Sequence, residues 1–502
     1  MNYTAHNPAT SEPLSPTYTD ATLSEINEVA QSVANVADLF ANSSAETRAV
    51  LLETIADEIM ARSAALIERA NLETGLPIPR LEGERNRTMG QLRSFAALLR
   101  EGSWVDARID PALPDRKPIP RPDLRRMLRA IGPVAVFGAS NFPFAYSVAG
   151  GDTASALAAG NPVIVKAHPA HPGTSDITAE AIRAALVKVG LPAGIFGMVH
   201  GTSPEVSLAL VKHPAMAAVG FTGSTRAGRA LFDAAAARPL PIPVFAEMSS
   251  VNPVIILPQA LAERGDAIAE GYVASATLGV GQFCTKPGLV FGIAGPAWEK
   301  FAATVGARAA GVGPAVMLHS GIRASYERGV SELRDVEWLN RGSANFARVD
   351  AKDFRTRPEL AHELFGPFGL LITARDFTEL QSLLEPLEGQ LTAAVHGTPA
   401  ELASATDLMT LLTRKAGRLI CNAFPTGVEV SPAMNHGGPY PATTDVRFTA
   451  VGTGAILRFA RPVCYQSFPA ELLPPALQNS NPLGILRQID GQHTRDPLGS
   501  TS

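Results

Sequence analysis

From Ile131 onward the chain alternates short apolar runs with segments of helical length, and few folds accept that pattern. Val134-Ala135-Val136-Phe137 is the first apolar strand. A small-residue helix is expected from Ala145 to Ala159. Pro162 to Lys166 is the next strand and Asp176 to Val189 the next helix. Ile195 to Val199 and Ala217 to Phe221 continue the strands. Short strands separated by helices need right-handed crossovers, which give a parallel sheet with helices on both faces. In such a doubly wound domain, ligand is expected at the carboxyl ends of the strands. A second series begins at Val254-Ile255-Ile256-Leu257. It passes through a strand at Leu289 and a helix from Ala297 to Ala310, and runs on to about Gly438. The expected fold class is α/β, with two doubly wound domains.

The remaining segments frame these two series. Residues 1–20 are polar and Pro-containing and read as a peripheral arm. Ser43-x-x-Glu46 is a candidate capping box, followed by Leu51, Leu52, Ile55 and Ile59 at helical spacing. Further helices are expected from Ser63 to Thr74, stopped by Gly75-Leu76-Pro77, and from Gln91 to Arg100. Residues 111–123 hold five prolines among charged residues, which makes an extended excursion. Arg125 to Ala130 reads as a strand returning to the body. After Thr443 the chain is again strand-like, most clearly at Ala455–Phe459, and a Pro-rich tail from Pro469 is expected to end weakly ordered. The expected division is residues 1–110 and 131–245 for a dinucleotide-binding domain and 246–440 for a second domain. Residues 111–130 and 441–502 form a small β arm and tail. Exposed strands of this kind are commonly covered by pairing, so a homodimer or homotetramer is expected.

Composition excludes several classes. The net charge is −4 and no basic cluster tracks a polyanion, so nucleic acid is not an expected partner. The densest basic run, Arg121, Arg125, Arg126 and Arg129, alternates with acidic and apolar residues, as a solvated or subunit-facing strand does. No run reaches the length of a membrane helix, and the N-terminus has neither a basic nor an apolar leader region. Three cysteines in 502 residues argue against a disulfide framework, and the chain reads as cytoplasmic.

The chemistry concentrates in a few stretches. Gly281-Gln282-Phe283-Cys284-Thr285-Lys286-Pro287-Gly288 lies between an Ala-rich helical run (Ala262 to Val280) and the strand at Leu289. Cys284 on this tight loop is a nucleophile or a small buried hydrophobe. The G-x-G-x-x-G fingerprint of dinucleotide sites is missing. In its place stands Phe221-Thr222-Gly223-Ser224-Thr225-Arg226-Ala227-Gly228, a strand, a glycine turn and a helix start. It can present N–H groups to a pyrophosphate or be a plain helix cap. Asn141, in Phe137-Gly138-Ala139-Ser140-Asn141-Phe142-Pro143, can face an oxyanion or satisfy a turn. Lys166 ends a strand, where a ribose or phosphate would sit. Glu247 ends an apolar strand and is a general base or an ion-paired glutamate. Glu363-Leu364-Phe365-Gly366-Pro367-Phe368 is a turn with a carboxylate and an aromatic.

Taken in this order, the six pieces resemble the aldehyde dehydrogenase superfamily over roughly residues 130–465. The resemblance implies Cys284 as nucleophile, Glu247 as general base, and Asn141 with the Cys284 N–H as oxyanion hole. It implies cofactor contacts from Ala139, Ser140, Lys166, His168, Gly223, Ser224, Gly228, Glu363 and Phe365, and no metal. It also implies a small-molecule aldehyde as substrate. Two departures stand out. After Glu247 the family continues Leu-Gly-Gly-Lys, where this chain has Met248-Ser249-Ser250-Val251. Three positions after the strand-end lysine, NAD-preferring members carry an acid, and here Pro169 stands. NADP is therefore the expected cofactor, with NAD possible, and His168, Thr174 and Ser175 are near enough in sequence to donate to a 2′-phosphate. The stretches from Lys166 to Ser175 and from His436 to Thr443 are similar to the α-ketoglutaric semialdehyde (2,5-dioxovalerate) and NADP-dependent fatty-aldehyde members. A semialdehyde carboxylate needs a partner, for which Arg447, Arg458 and Arg461 are the expected candidates. A CoA-acylating thiol acyltransferase and a non-catalytic descendant of the fold are the rival readings.

Overall fold

The structure, a computed structural model, describes residues 1–499. Two parallel-rich sheets carry it. The first has five strands in the order Phe196–Val199, Val163–Lys166, Val134–Phe137, Ala218–Thr222, Val244–Glu247, all parallel. The chain runs outward from Val134–Phe137 in one direction and then returns to build in the other. The carboxyl end of that central strand is thus a topological switch point, where a ligand crevice opens. The second sheet orders its seven strands Glu337–Asn340, Asn345–Asp350, Phe368–Ala374, Leu289–Ile293, Val254–Ile256, Gln390–His396, Ala416–Cys421. Only the first pair is antiparallel. Val134, Val163, Val254, Leu289 and Leu371 are buried among helices on both faces, as the runs of consecutive apolar residues require.

A third sheet joins Ala460–Gln466, Leu124–Ala130, Arg108–Asp110, Arg487–Ile489 and Gln492–Thr494. Arg108–Asp110 precedes the expected start of the arm at 111. The Pro-rich stretch between its second and third members carries only one bridge, Leu113 to Arg121. Arg125 does not face solvent on this strand. It is buried, ion-pairs with Asp123 at 2.8 Å and donates to Leu477 O at 2.6 Å and Asn479 Oδ1 at 2.7 Å.

Several elements differ from expectation. Residues 1–20 form a hairpin, Asn2–His6 with Pro13–Thr19. An unforeseen helix, Leu23–Ala41, follows, with a capping box made by Thr22 and Glu25. The expected box at Ser43 is displaced by one residue: Ser44 caps helix Ala45–Ala61, while Ser43 Oγ donates back to Phe40 O at 2.6 Å. The helix expected at Gln91 starts earlier and runs Ile78–Glu101. The small-residue helix begins at Gly151 instead of Ala145, because residues 138–150 fold into a close loop beside the crevice. Ala455–Phe459 is no strand. It lies in a 3₁₀ segment, Thr453–Phe459, whose Ala455, Ile456 and Phe459 reach the core, and the strand is Ala460–Gln466. The tail is folded through Arg487–Thr494, and the expected weak end at 500–502 lies outside the described residues. Among the described residues no helix is long and apolar enough to cross a membrane.

Candidate active site

Between the two large sheets lies a cavity of about 440 Å³. Ala139, Ser140 and Asn141 enter it from the carboxyl end of Val134–Phe137, and Gly223 and Ser224 from the next strand over. Glu247, Cys284, His168, Glu363 and Phe365 complete the expected set in the lining. Two expected members do not line it. Gly228 sits one turn into helix Thr225–Ala236, buried against Met248 and Phe221, so its small size serves helix packing. Lys166 is buried at the end of its strand and adjoins the crevice. Burial holds its ammonium down, at about 8.

Local sequence explains how the Cys284 loop is held. Helix Pro258–Thr277 ends in a tight turn with Gly279 and Val280 at φ 56° and 60°. Val280 is a β-branched residue in the left-handed region, a strained position next to the reactive loop. Gly281 is also left-handed, at φ 64°, and a Cβ there would run into the Gly366 carbonyl oxygen. The cysteine loop and the Glu363–Pro367 turn therefore touch backbone to backbone. Gln282 accepts from Leu318 N at 3.0 Å, and its carbonyl receives one amide hydrogen of Asn141 at 3.0 Å. That bond orients the Asn141 amide and leaves its second hydrogen for the cavity.

The departure at Met248-Ser249-Ser250 is compensated by a buried network. Gln390 Oε1 accepts from Ser250 Oγ, Val251 N and Asn252 N at 2.8–3.1 Å. Asn252, left-handed at φ 48°, donates to Cys284 O at 2.8 Å and Lys286 O at 3.0 Å. The loop after Glu247 is thus tied to the loop that carries Cys284.

His436 is a site residue without a sequence signal of its own; in the sequence it stands only as the start of the stretch to Thr443. Thr443 bridges to Glu247, and Met248 N donates to Ala442 O at 2.8 Å, which docks the segment over the first sheet. Gly438 has to be glycine here, since a Cβ would meet the Gln390 carbonyl oxygen. His436 is 1% exposed, and its Nε2 is 2.8 Å from Glu247 Oε1 and 3.5 Å from Cys284 Sγ. One ligand atom from each of Glu247, Cys284 and His436 lies within 4.8 Å of the others. Burial alone would raise the Glu247 carboxyl, but the charge and hydrogen bond of His436, the Cys284 side chain and Arg458 bring it below its ordinary value. Burial and then the Glu247 carboxylate push the Cys284 thiol well up, while Arg87 acts against them. The raised thiol is held in its neutral form, in contact with a carboxylate–imidazole pair able to accept its proton.

The Aldehyde dehydrogenase family model matches residues 1–315. The chain belongs to the aldehyde dehydrogenase family. It is accordingly an oxidoreductase that acts on aldehydes with NAD(P). Alpha-ketoglutaric semialdehyde dehydrogenase 2 of Azospirillum brasilense is 52% identical, over 97% of this chain and 95% of the relative. Alpha-ketoglutaric semialdehyde dehydrogenase of Acinetobacter baylyi is 47% identical, over 95% and 93%. NADP-dependent glyceraldehyde-3-phosphate dehydrogenase from Bacillus halodurans, complexed with NADP, superposes with a TM-score of 0.79 at 20% identity, covering 93% of this chain and 95% of that one. At that identity the likeness speaks for the aldehyde dehydrogenase fold.

Other expectations change with the geometry. Thr174 is buried and donates through N and Oγ1 to Glu73, and Ser175 donates to His171 O at 3.0 Å, so neither can reach a phosphate. His168 and Pro169 do line a larger neighbouring cavity of about 780 Å³, with Arg323 and Arg341. The three arginines expected at the substrate end are elsewhere. Arg447 pairs with Asp445, Arg458 is buried on Asp152 at 2.7 Å, and Arg461 is exposed on the outer strand. Cys421 and Cys464 are both exposed in the single chain.

Proposed function

We propose that this aldehyde dehydrogenase oxidises α-ketoglutaric semialdehyde to 2-oxoglutarate, with NADP favoured over NAD. The observation that carries the chemistry is the contact of buried His436 with both Cys284 and Glu247, the latter two lining the cavity. The substrate is argued from the two relatives of that printed name, which match nearly the whole chain. For the nucleotide, the donor set fits. Ser224 caps a helix whose N-terminus opens on the cavity beside Gly223, and Glu363 and Phe365 stand across from it. Lys166 at the adjoining strand end suits a ribose or phosphate. Pro169 leaves no carboxylate to repel a 2′-phosphate, and Arg323 and Arg341 share its cavity.

In this reading Cys284 loses its proton to the His436–Glu247 pair and its sulfur bonds to the aldehyde carbon. The oxyanion that forms is held by the free Asn141 amide hydrogen and the Cys284 N–H. When bound, the nicotinamide accepts the hydride that converts the adduct to a thioester on Cys284. Once the pair has passed the thiol proton to solvent, Glu247 takes a proton from water, whose oxygen bonds to the thioester carbon as the carbon–sulfur bond breaks. The departing thiolate takes that proton from Glu247 to become the resting thiol, and the acid leaves. A carboxylate kept ionised inside the cavity argues for hydrolysis over transfer to CoA.

We further propose a homo-oligomer, because strand Ala460–Gln466 is the open edge of its sheet in the single chain. Cytoplasmic placement fits three free cysteines. The test is nucleotide reduction with α-ketoglutaric semialdehyde, using NADP and NAD, with and without CoA. The expected result is CoA-independent activity, higher with NADP, and lost on Cys284→Ala. Strict CoA dependence or a clear NAD preference would overturn the corresponding half. Pro169→Glu should move the preference towards NAD.

A further inference from the structure

Helix Ile78–Glu101 lays two arginines, seven residues apart and so on one face, against the outer side of the active site. They line a separate cavity of about 330 Å³ with Glu84, Leu278, Phe142 and Phe283. Phe142 is shared with the cavity that holds Cys284, and Phe283 is the residue before the nucleophile. The Arg80 guanidinium lies 5.2 Å from the Phe142 ring centre and 4.9 Å from that of Phe283. That of Arg87 lies 5.9 Å from Phe142 and 5.6 Å from Tyr146. Aromatic faces hold a guanidinium plane without using its N–H donors.

Those donors are largely uncommitted. Arg80 gives one bond, to Asn141 O at 2.8 Å, and its Nη1 is buried without a partner. Arg87 gives only a bond of 3.5 Å to Tyr146 OH, and its Nε is buried without a partner. Among the described residues neither arginine has an ion pair within 4.0 Å. Glu84 on the same helix lines this cavity and feels the charge of both arginines, but its Oε1 accepts from Phe144 N at 2.8 Å and Ala145 N at 3.0 Å and it forms no ion pair with either. The contrast with Arg418 is useful. Arg418 also acts electrostatically on the cysteine, but it donates to Pro425 O at 2.6 Å and to Gly427 O at 3.1 and 3.2 Å. Its guanidinium serves a loop. Arg87 is a half-buried cation whose charge reaches Cys284 and Glu84, and among the described residues it makes no ion pair.

We propose that Arg87, backed by Arg80, is the receptor for the distal carboxylate of the semialdehyde. The stem of a short substrate bound to Cys284 would run past Phe142 and Phe283 and put its carboxylate at the arginine fork, where two parallel N–H bonds are available. Arg80 adds charge and ties the receptor to the Asn141 backbone, so that substrate length is read from the oxyanion site. This rests on the carboxylated-substrate reading given above.

The measurement is the ratio of kcat/KM for α-ketoglutaric semialdehyde to kcat/KM for pentanal, in the full-length enzyme and in Arg87→Met. The ratio cancels any general loss of thiol reactivity. Arg87→Met is expected to lower it about ten- to a hundredfold, mostly through KM, because bonds to a charged group are lost. Where Arg87→Met is not recovered folded, Arg87→Lys carries the test. It keeps the charge without the fork and is expected to lower the ratio several-fold. An unchanged ratio in an active Arg87 variant would overturn the assignment. So would a drop confined to Arg80→Met. A wild-type ratio near one would instead overturn the carboxylated-substrate reading, and the receptor with it.

Discussion

Glu247 and Glu363 line the same cavity and each has a cation-forming side chain at hand, yet their carboxyls are displaced in opposite directions. Burial raises both. For Glu247 this is outweighed by His436, which meets it at 2.8 Å, together with Cys284 and Arg458. For Glu363 burial wins, and the carboxyl is pushed up to about 7 against the opposing charge of Lys286 and a hydrogen bond from Ser249. The reason is where the cation spends its donors. Lys286 Nζ bonds to Leu364 O at 2.7 Å and Phe368 O at 3.1 Å. Its own ammonium is lowered to about 8 by burial. Direct hydrogen bonding, more than a nearby charge, decides whether an enclosed carboxylate stays ionised. One glutamate is thereby kept ionised at neutral pH, and the other, at about 7, is not.

The comparison is broken most sharply by Glu247→Gln. If Glu247 is the working base, steady-state turnover should fall about a hundred- to ten-thousandfold. A burst of reduced nucleotide should remain, because the thioester still forms and only its hydrolysis is impaired. Stopped-flow absorbance separates the two phases, and equal losses in both would remove the water-activating role.

His436→Gln is the next largest, with turnover at neutral pH reduced about ten- to a hundredfold. Without the imidazole, burial dominates at Glu247 and its carboxyl rises. The base works only when ionised, so the acid limb of the kcat profile should move to higher pH. The variant should recover at pH 9 more of the wild-type rate than at pH 6. A limb that stays where it was would mean that His436, not Glu247, sets it.

Contiguity decided how much of this site could be read from the sequence. Gly281–Gly288, Phe221–Gly228 and Glu363–Phe368 are continuous runs in which glycine, hydroxyl and acid stand in a fixed order, so the places of Gly223, Ser224, Cys284, Glu363 and Phe365 in the cavity were legible, though not that of Gly228 in its helix. His436 was not. It reaches Glu247 across 189 positions, and a lone histidine before Gly-Gly-Pro carries no local signal for a base. Asn252 and Gln390 were missed for the same reason, since their bonds join segments about 140 residues apart. The alternation from Val134 gave the sheets because consecutive apolar strands are a strong pattern. Ala455–Phe459 misled because a short apolar run does not distinguish a strand from a buried helical turn. At Leu23–Ala41 the signal was present in Thr22-x-x-Glu25 and in Ile26, Ala30 and Val33 on one face, and a polar surround hid it.

Glu363→Gln should have the smallest effect, and it sharpens the contrast through pH. If Glu363 contacts the nucleotide as proposed, its removal should leave kcat within a few-fold and raise KM for the nucleotide several-fold. In the wild type, Glu363 ionises through about 7, so its KM should change across pH 6–8, and the amide variant's should not. Stability gives an independent reading. The folded carboxyl titrates at about 7 against 4.5 for the ordinary value, so between these values the folded state binds more protons than the unfolded one. The contribution of Glu363 is then fully favourable below about 4.5 and is lost as pH rises through about 7. Gln is free of this loss. The melting temperature of Glu363→Gln relative to wild type should therefore be higher at pH 8 than at pH 5. Glu84, also pushed up to about 7 by burial, is present in both proteins and cancels in the difference. A relative melting temperature that falls from pH 5 to pH 8 would mean that Glu363 is ionised and directly paired throughout, as Glu247 is, and the two carboxylates would no longer differ.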